Sequence, residues 1–216
     1  FLLAGVFFDI WDGLFARLFR VESDLGVQLD SMADMVTSGL APGIILAQLF
    51  VLAGNHPLEI FIGWPINSMV EFIPWVFIGF ILPLGSAFRL ARFNVTGSGK
   101  SHFIGLPTPA MAMFFGAIPL IFEHPYFIFL KPIVISNTGL ILMAVLFVFL
   151  MNSNLILFSF KSFSTGTVDL VLRILIILVT PFFIGFFGLG GVGFAILFYL
   201  ILNLLKISIL KIGNET

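Results

Sequence analysis

An all-α polytopic bundle of transmembrane helices is the fold this chain calls for. Of its 216 residues, 60% are hydrophobic and only 10% are charged, where a soluble domain carries about 25% charged residues. Mean hydropathy is +1.18. Apolar runs of about 20 residues, each enough to cross a bilayer as a helix, recur along the whole chain. Cysteine is absent, which removes disulfides, thiolate metal sites and cysteine nucleophiles. The net charge of −1, with no basic block, gives no reason to expect nucleic acid as a partner.

Seven helices are expected, over roughly 1–19, 28–53, 69–92, 107–122, 138–160, 169–187 and 190–210. The first opens at Phe1 inside an apolar run, without an initiator Met or a basic leader. The chain therefore reads as N-terminally truncated, with one upstream helix missing. A short polar connection over 20–26 leads to the second helix, which makes the two antiparallel neighbours. Gly, Pro, Asn and short polar stretches separate the later ones. Pro42, Pro83, Pro119 and Pro181 fall inside helices, where a lipid-embedded bundle tolerates them as kinks. Gly188, Gly190, Gly191 and Gly193 suggest a tight turn between the last two helices. No strand precedes them, so they are no phosphate loop. Without an internal repeat or linker, residues 1–216 form one integral-membrane domain.

Charge orients the bundle. With the loop after the first helix on the cytoplasmic side, Arg17, Arg20, Arg89, Arg92, Lys100, Lys161, Arg173, Lys206 and Lys211 lie at or near the inner face. Lys131 alone lies outside, a clear positive-inside pattern. The outer loops hold His56, Glu59, Glu71, Glu123 and His124.

Against this apolar background stand Asp9, Asp12, Asp30 and Asp34. Carboxylates at membrane depth are costly and need a partner that makes them worth keeping. Asp9, Asp12, Gly13 and Ala16 fall on one arc of the first helix, and Asp30 and Asp34 share a face of the second. Both faces can converge across the short connection. Hard oxygen ligands suit Mg²⁺, Mn²⁺ or Ca²⁺. A pair of such ions would neutralise a pyrophosphate. Gly13 and Ala16 leave room for a substrate, and Arg17 is placed to pair with phosphate. The competing reading, interfacial ion pairs with Arg17 and Arg20, explains a lone aspartate better than this set of four.

The string Asp9-x2-Asp12-Gly13-x2-Ala16-Arg17-x8-Gly26-x3-Asp30-x3-Asp34 resembles the complete motif of the CDP-alcohol phosphotransferases. Leu29-Asp30-Ser31-Met32-Ala33-Asp34-Met35-Val36, Gly39-Leu40-Ala41-Pro42, Arg89-Leu90-Ala91-Arg92-Phe93-Asn94 and Gly105-Leu106-Pro107-Thr108-Pro109-Ala110 look like the bacterial CDP-diacylglycerol–serine branch of that family. Ser31 and Met35 stand where phosphatidylglycerophosphate synthases tend to carry Pro and Lys.

The resemblance implies a bacterial inner-membrane enzyme with its active site facing the cytoplasm. It would move a phosphatidyl group from CDP-diacylglycerol to L-serine with two divalent cations, Mg²⁺ or Mn²⁺. Asp9, Asp12, Asp30 and Asp34 would bind metal, with Asp34 also the general base. Gly13, Ala16, Arg17 and Gly26 would form the nucleotide and phosphate site. Arg89 and Arg92 are candidates for the acceptor carboxylate or a lipid phosphate, since guanidinium groups suit both. The family is often homodimeric, which small residues on membrane helices allow. Glycerol 3-phosphate, inositol phosphate or choline as acceptor stays open, as does a divalent-cation transporter. The later helices are nearly free of acidic residues, which disfavours a transport path.

Overall fold

The computed structural model describes residues 2, 4–6, 11, 24–62, 68–96, 103–157 and 167–214. Within the expected first helix, Leu2, residues 4–6 and Trp11 are helical. The second begins as α1 (Asp24–Asp34), widens into a π-helical turn (Met35–Leu40) and continues as α2 (Ala41–Leu52). Pro42 explains the widening. It has no N–H to donate and its ring crowds the preceding turn, so the helix accommodates it with i−5 bonding. The Ala41 N–H donates to the Val36 carbonyl accordingly.

A 3₁₀ turn (Pro74–Phe80) runs into α3 (Ile81–Thr96). This differs from the helix expected over 69–92, because its first residues belong to an antiparallel hairpin. Strand β1 (Leu58–Ile62) pairs with β2 (Ser68–Phe72), Ile60 opposite Val70. The β-branched and aromatic side chains Ile60, Phe61, Ile62 and Val70 favour the extended form.

Beyond β3 (Phe103–Ile104), α4 (Thr108–Glu123) ends at His124, where the chain bends by 106° into a 3₁₀ turn (Pro125–Leu130) and the short α5 (Lys131–Val134). α6 (Asn137–Asn152) stops well before the expected residue 160. Its last carbonyls are taken by side chains: Ser153 Oγ donates to the Leu150 oxygen at 2.8 Å and Asn152 Nδ2 to the Val148 oxygen at 3.0 Å. The chain then turns extended, and β4 (Ile156–Leu157) pairs with β3.

α7 (Thr167–Phe187) and α8 (Gly191–Asn214) are joined by one 3₁₀ turn (Gly188–Gly190) with Gly188 at φ +60°. The apolar stretch Leu170–Lys206 is 37 residues long, but it is a hairpin. Phe183 meets Phe198 with ring centroids 6.3 Å apart, and Phe187 meets Phe194 at 5.2 Å. A straight helix would separate the first pair by about 22 Å. Gln28–Leu52 and Pro74–Val95 are also long and apolar enough to cross a bilayer. The expected all-α polytopic membrane bundle is the observed architecture.

Lipid tails are as apolar as leucine, so the helices are held by close packing rather than by exclusion from water. The core gathers Leu46, Leu49 and Phe50 of α2, Met111, Phe115 and Ile118 of α4, and Leu140 and Phe147 of α6. Phe114 stacks on Phe147 at 4.3 Å. Glycines bring backbones together: a Cβ on Gly43 would stand 2.8 Å from the Gly79 oxygen, and one on Gly193 would stand 2.9 Å from the Ala117 Cβ. These contacts clamp α2 to the 3₁₀ turn before α3, and α8 to α4.

Candidate active site

Asp30 and Asp34 lie one turn apart at the end of α1, on one face of the helix. Asp30 is exposed and Asp34 half-buried. Gly26, one turn before Asp30, is exposed. Asp34 is the last residue before the π-helical turn, so the Pro42 distortion begins where the fourth aspartate sits. π-helical turns of this kind often occur at functional sites. The first helix packs beside this segment: a Cβ on Gly5 would stand 3.3 Å from Thr37 Cγ2. Asp9, Asp12, Gly13, Ala16 and Arg17 lie outside the described residues.

The C-terminal end of α3 faces the same helix. Asn94 Nδ2 donates to Ser31 Oγ at 3.0 Å and to Gln28 Oε1 at 3.2 Å. Ser31 sits between the two aspartates, so α3 fixes the rotation of the helix that carries them. On its other side α3 is tied to the end of α6. Arg92 Nη1 donates to the Asn152 oxygen at 3.2 Å and Nη2 to Asn154 Oδ1 at 2.6 Å, while Asn152 Nδ2 donates to the Gly85 oxygen at 3.2 Å.

Arg89 points inward. It is only 9% exposed, and a guanidinium at that depth needs an anion or dipoles to offset its lost hydration. Asp34 supplies the charge, lying within electrostatic range. Tyr199 of α8 is also within that range. Arg89 Nε is buried and has no hydrogen-bond partner among the described residues. The arrangement thus sets a buried guanidinium within electrostatic range of a carboxylate.

A family model described as CDP-alcohol phosphatidyltransferase matches residues 1–159, well over half of the chain. The chain belongs to that family. Among its relatives is a CDP-diacylglycerol–serine O-phosphatidyltransferase of Bacillus subtilis, 32% identical over 115 residues, which are 52% of this chain and 54% of that protein. Proteins of the same name from Saccharomyces cerevisiae and Methanocaldococcus jannaschii are each 36% identical. The yeast match covers 50% of this chain and 36% of the relative. The archaeal match covers 50% and 43%. The chain thus spans about half or less of the length of these relatives.

Of the residues expected for the site, the structure brings Arg89 within electrostatic range of Asp34, with Asp30 one turn earlier on the same helix. It commits Arg92 to the α6 terminus. Among the described residues no three His, Cys, Asp or Glu side chains gather as a metal set. The sequence reading did not single out Tyr199, which lies on α8 within electrostatic range of Arg89 and beyond the residues matched by the family model. Its only signal is polarity in an apolar run, and one tyrosine is too little to distinguish a site from packing.

Proposed function

We propose that this chain transfers the phosphatidyl group of CDP-diacylglycerol to the hydroxyl of L-serine, giving phosphatidylserine and CMP. The observation that carries the reading is the full four-aspartate motif in a member of the family. The three relatives described above, each a CDP-diacylglycerol–serine O-phosphatidyltransferase, support the acceptor. The Gly5 contact with Thr37 supports convergence of the two aspartate pairs.

Asp34 takes the proton from the serine hydroxyl as its oxygen attacks the phosphorus that bears the diacylglycerol. The bond from that phosphorus to the CMP oxygen breaks, and CMP leaves with the electron pair. Arg17 offsets charge on the departing phosphate, while Gly13, Ala16 and Gly26 shape the nucleotide site. Arg89 offers its guanidinium to the serine carboxylate, which sets the acceptor hydroxyl beside Asp34. The hard oxygens of Asp30 and Asp34 fit a divalent cation, in keeping with a family that uses such metals. A pair of Mg²⁺ or Mn²⁺ ions held by Asp9, Asp12, Asp30 and Asp34 would supply neutralisation of the pyrophosphate. We assign the site to the cytoplasmic face of a bacterial inner membrane, on the distribution of basic residues. A homodimer is the assembly that the resemblance implies, and Gly185 of α7 faces open space that could admit a second copy.

The test is CMP release from CDP-diacylglycerol by purified protein with Mg²⁺ or Mn²⁺. L-Serine is compared with glycerol 3-phosphate, inositol phosphate and choline. Serine-dependent release with phosphatidylserine as product is expected. Release driven by a different alcohol overturns the acceptor, and no release from folded protein overturns the enzyme.

A further inference from the structure

α4 and α6 are each 16 residues long, or about 24 Å, against about 30 Å for the hydrocarbon core of a bilayer. The start of α4 lies beside the end of α6: the Leu106 N–H donates to the Leu150 oxygen at 3.0 Å, and Phe114 stacks on Phe147. This is the end that carries the aspartates of α1, because Arg92 bonds there to Asn152 and Asn154, and Asn94, two residues on, holds Ser31. Residues 124–136 therefore cross the opposite end of two short helices, still at hydrocarbon depth. They do so at 106° to α4. Their backbone suits lipid: the Phe127 N–H donates to the His124 oxygen at 3.1 Å and the Ile135 N–H to the Lys131 oxygen at 2.8 Å. Pro125 and Pro132 have no N–H to satisfy.

One face of this segment is taken. Phe127, Leu130 and Val134 pack against the core, and Phe127 meets Phe194 at 5.0 Å. Ser136 Oγ donates to the Ile133 oxygen at 2.7 Å and accepts from the Gly139 N–H at 3.1 Å, which ties the far end to the first turn of α6. The other face is apolar: Ile128, Phe129 and Ile133 are 61%, 68% and 68% exposed. Among them stands exposed Lys131, the one basic residue outside the positive-inside pattern. A lysine stem can lie along apolar surface while its ammonium reaches a lipid phosphate.

We propose that residues 125–134 are an interfacial segment lying flat in the leaflet opposite the aspartates, with Ile128, Phe129 and Ile133 among acyl chains and Lys131 on a lipid phosphate. The shortness of α4 and α6 argues for lipid as the occupant of this face, since it draws the cross-piece inside the hydrocarbon boundary. The inference is independent of the reaction and its acceptor.

The chain has no cysteine, so single nitroxide labels can be placed at Phe129→Cys and Ile133→Cys, with Leu146→Cys on the exposed side of α6 as a mid-helix reference. The full chain is placed in vesicles of phosphatidylethanolamine and phosphatidylglycerol. Collisions with oxygen, which concentrates in hydrocarbon, and with a water-soluble nickel chelate give the depth of each label. The labels at 129 and 133 are expected at equal depth, about 5–10 Å below the headgroups and shallower than the label at 146. Lys131→Glu should raise nickel collisions at 129 about twofold and Lys131→Arg should leave them unchanged, because only the former loses the attraction to anionic lipid; equal values in both would remove the phosphate contact. A depth difference of about 6 Å between 129 and 133, the rise of four residues along the membrane normal, would make the segment part of a span and overturn the proposal. Free access of nickel would put the face in water, and protection from both probes would put protein over it; either result overturns the proposal.

Discussion

Asp34, the base of the proposed function, is half-buried at the end of α1, and a guanidinium within electrostatic range favours the ionised carboxylate that can accept a proton. Asp34→Asn keeps the size of the side chain and removes its capacity to take a proton. Turnover is expected to drop by about a thousandfold or more, with an unchanged elution volume on size exclusion showing that the protein is folded. Turnover near the wild-type rate would remove Asp34 from the role of base. A second residue-scale case is Gly105, with φ at +74°. A Cβ there would collide with the Met151 carbonyl, and an L-residue in that backbone region costs about 1–2 kcal/mol before any clash. Gly105→Ala should lower the thermal midpoint in detergent. An unchanged midpoint would mean that the loop relaxes freely. Both residues were legible in the sequence, but for different reasons. Asp34 showed through the spacing of its motif, whereas Gly105 showed only through a resemblance, since a lone glycine announces no particular φ.

Among elements, the helix bearing Asp30 and Asp34 is the one whose placement matters most to the site, and it is fixed at both levels. Near the aspartates it is bonded through Ser31 and Gln28 to Asn94. Deeper in the membrane it is clamped through Gly39 and Gly43 to Gly79, Pro83 and Ser86. A Cβ on Gly79 would stand 2.5 Å from the Gly43 oxygen and 3.2 Å from the Ala47 Cβ. Neither backbone can yield without parting the helices. Gly79→Leu should therefore destabilise the fold by at least about 1–3 kcal/mol, the range for overpacking, and weaken transfer by shifting α1 against α3. A thermal melt with a parallel CMP-release assay reads both. Wild-type values in both would show that this contact does not position α1. Apolar length made most of these helices visible beforehand, because a run of about 20 apolar residues has few alternatives in a bilayer. The hairpin over residues 58–72 and the early end of α6 were not visible. Their residues are as apolar as the helices beside them, and the side-chain bonds of Asn152 and Ser153 that end α6 carry no periodicity to read.

At the scale of the whole molecule, polarity is segregated by end. The aspartate pair of α1, Arg92 and Asn154 cluster where α1, α3 and α6 have their inner termini by the proposed topology. The opposite end carries the β1–β2 hairpin, the bend at His124 and the glycine turn between α7 and α8. An aromatic cluster closes that end: His124 stacks on Tyr126 at 5.2 Å, and Phe127 meets Phe187 at 5.2 Å. Aromatic rings with a polar edge favour the membrane interface. On the proposed function, a nucleotide-linked donor has to meet the aspartates from the cytosolic side, so that proposal and the basic-residue asymmetry make the same demand. The chain has no cysteine, which makes the demand testable with single substitutions. Tyr126 is 74% exposed in the 3₁₀ turn after α4, and Val95 is 87% exposed at the C-terminal end of α3. In intact bacterial cells, Tyr126→Cys should react with a membrane-impermeant maleimide, whereas Val95→Cys should react only after the membrane is opened. The reverse pattern would turn the molecule over and place its aspartates on the side where no cytosolic nucleotide could reach them.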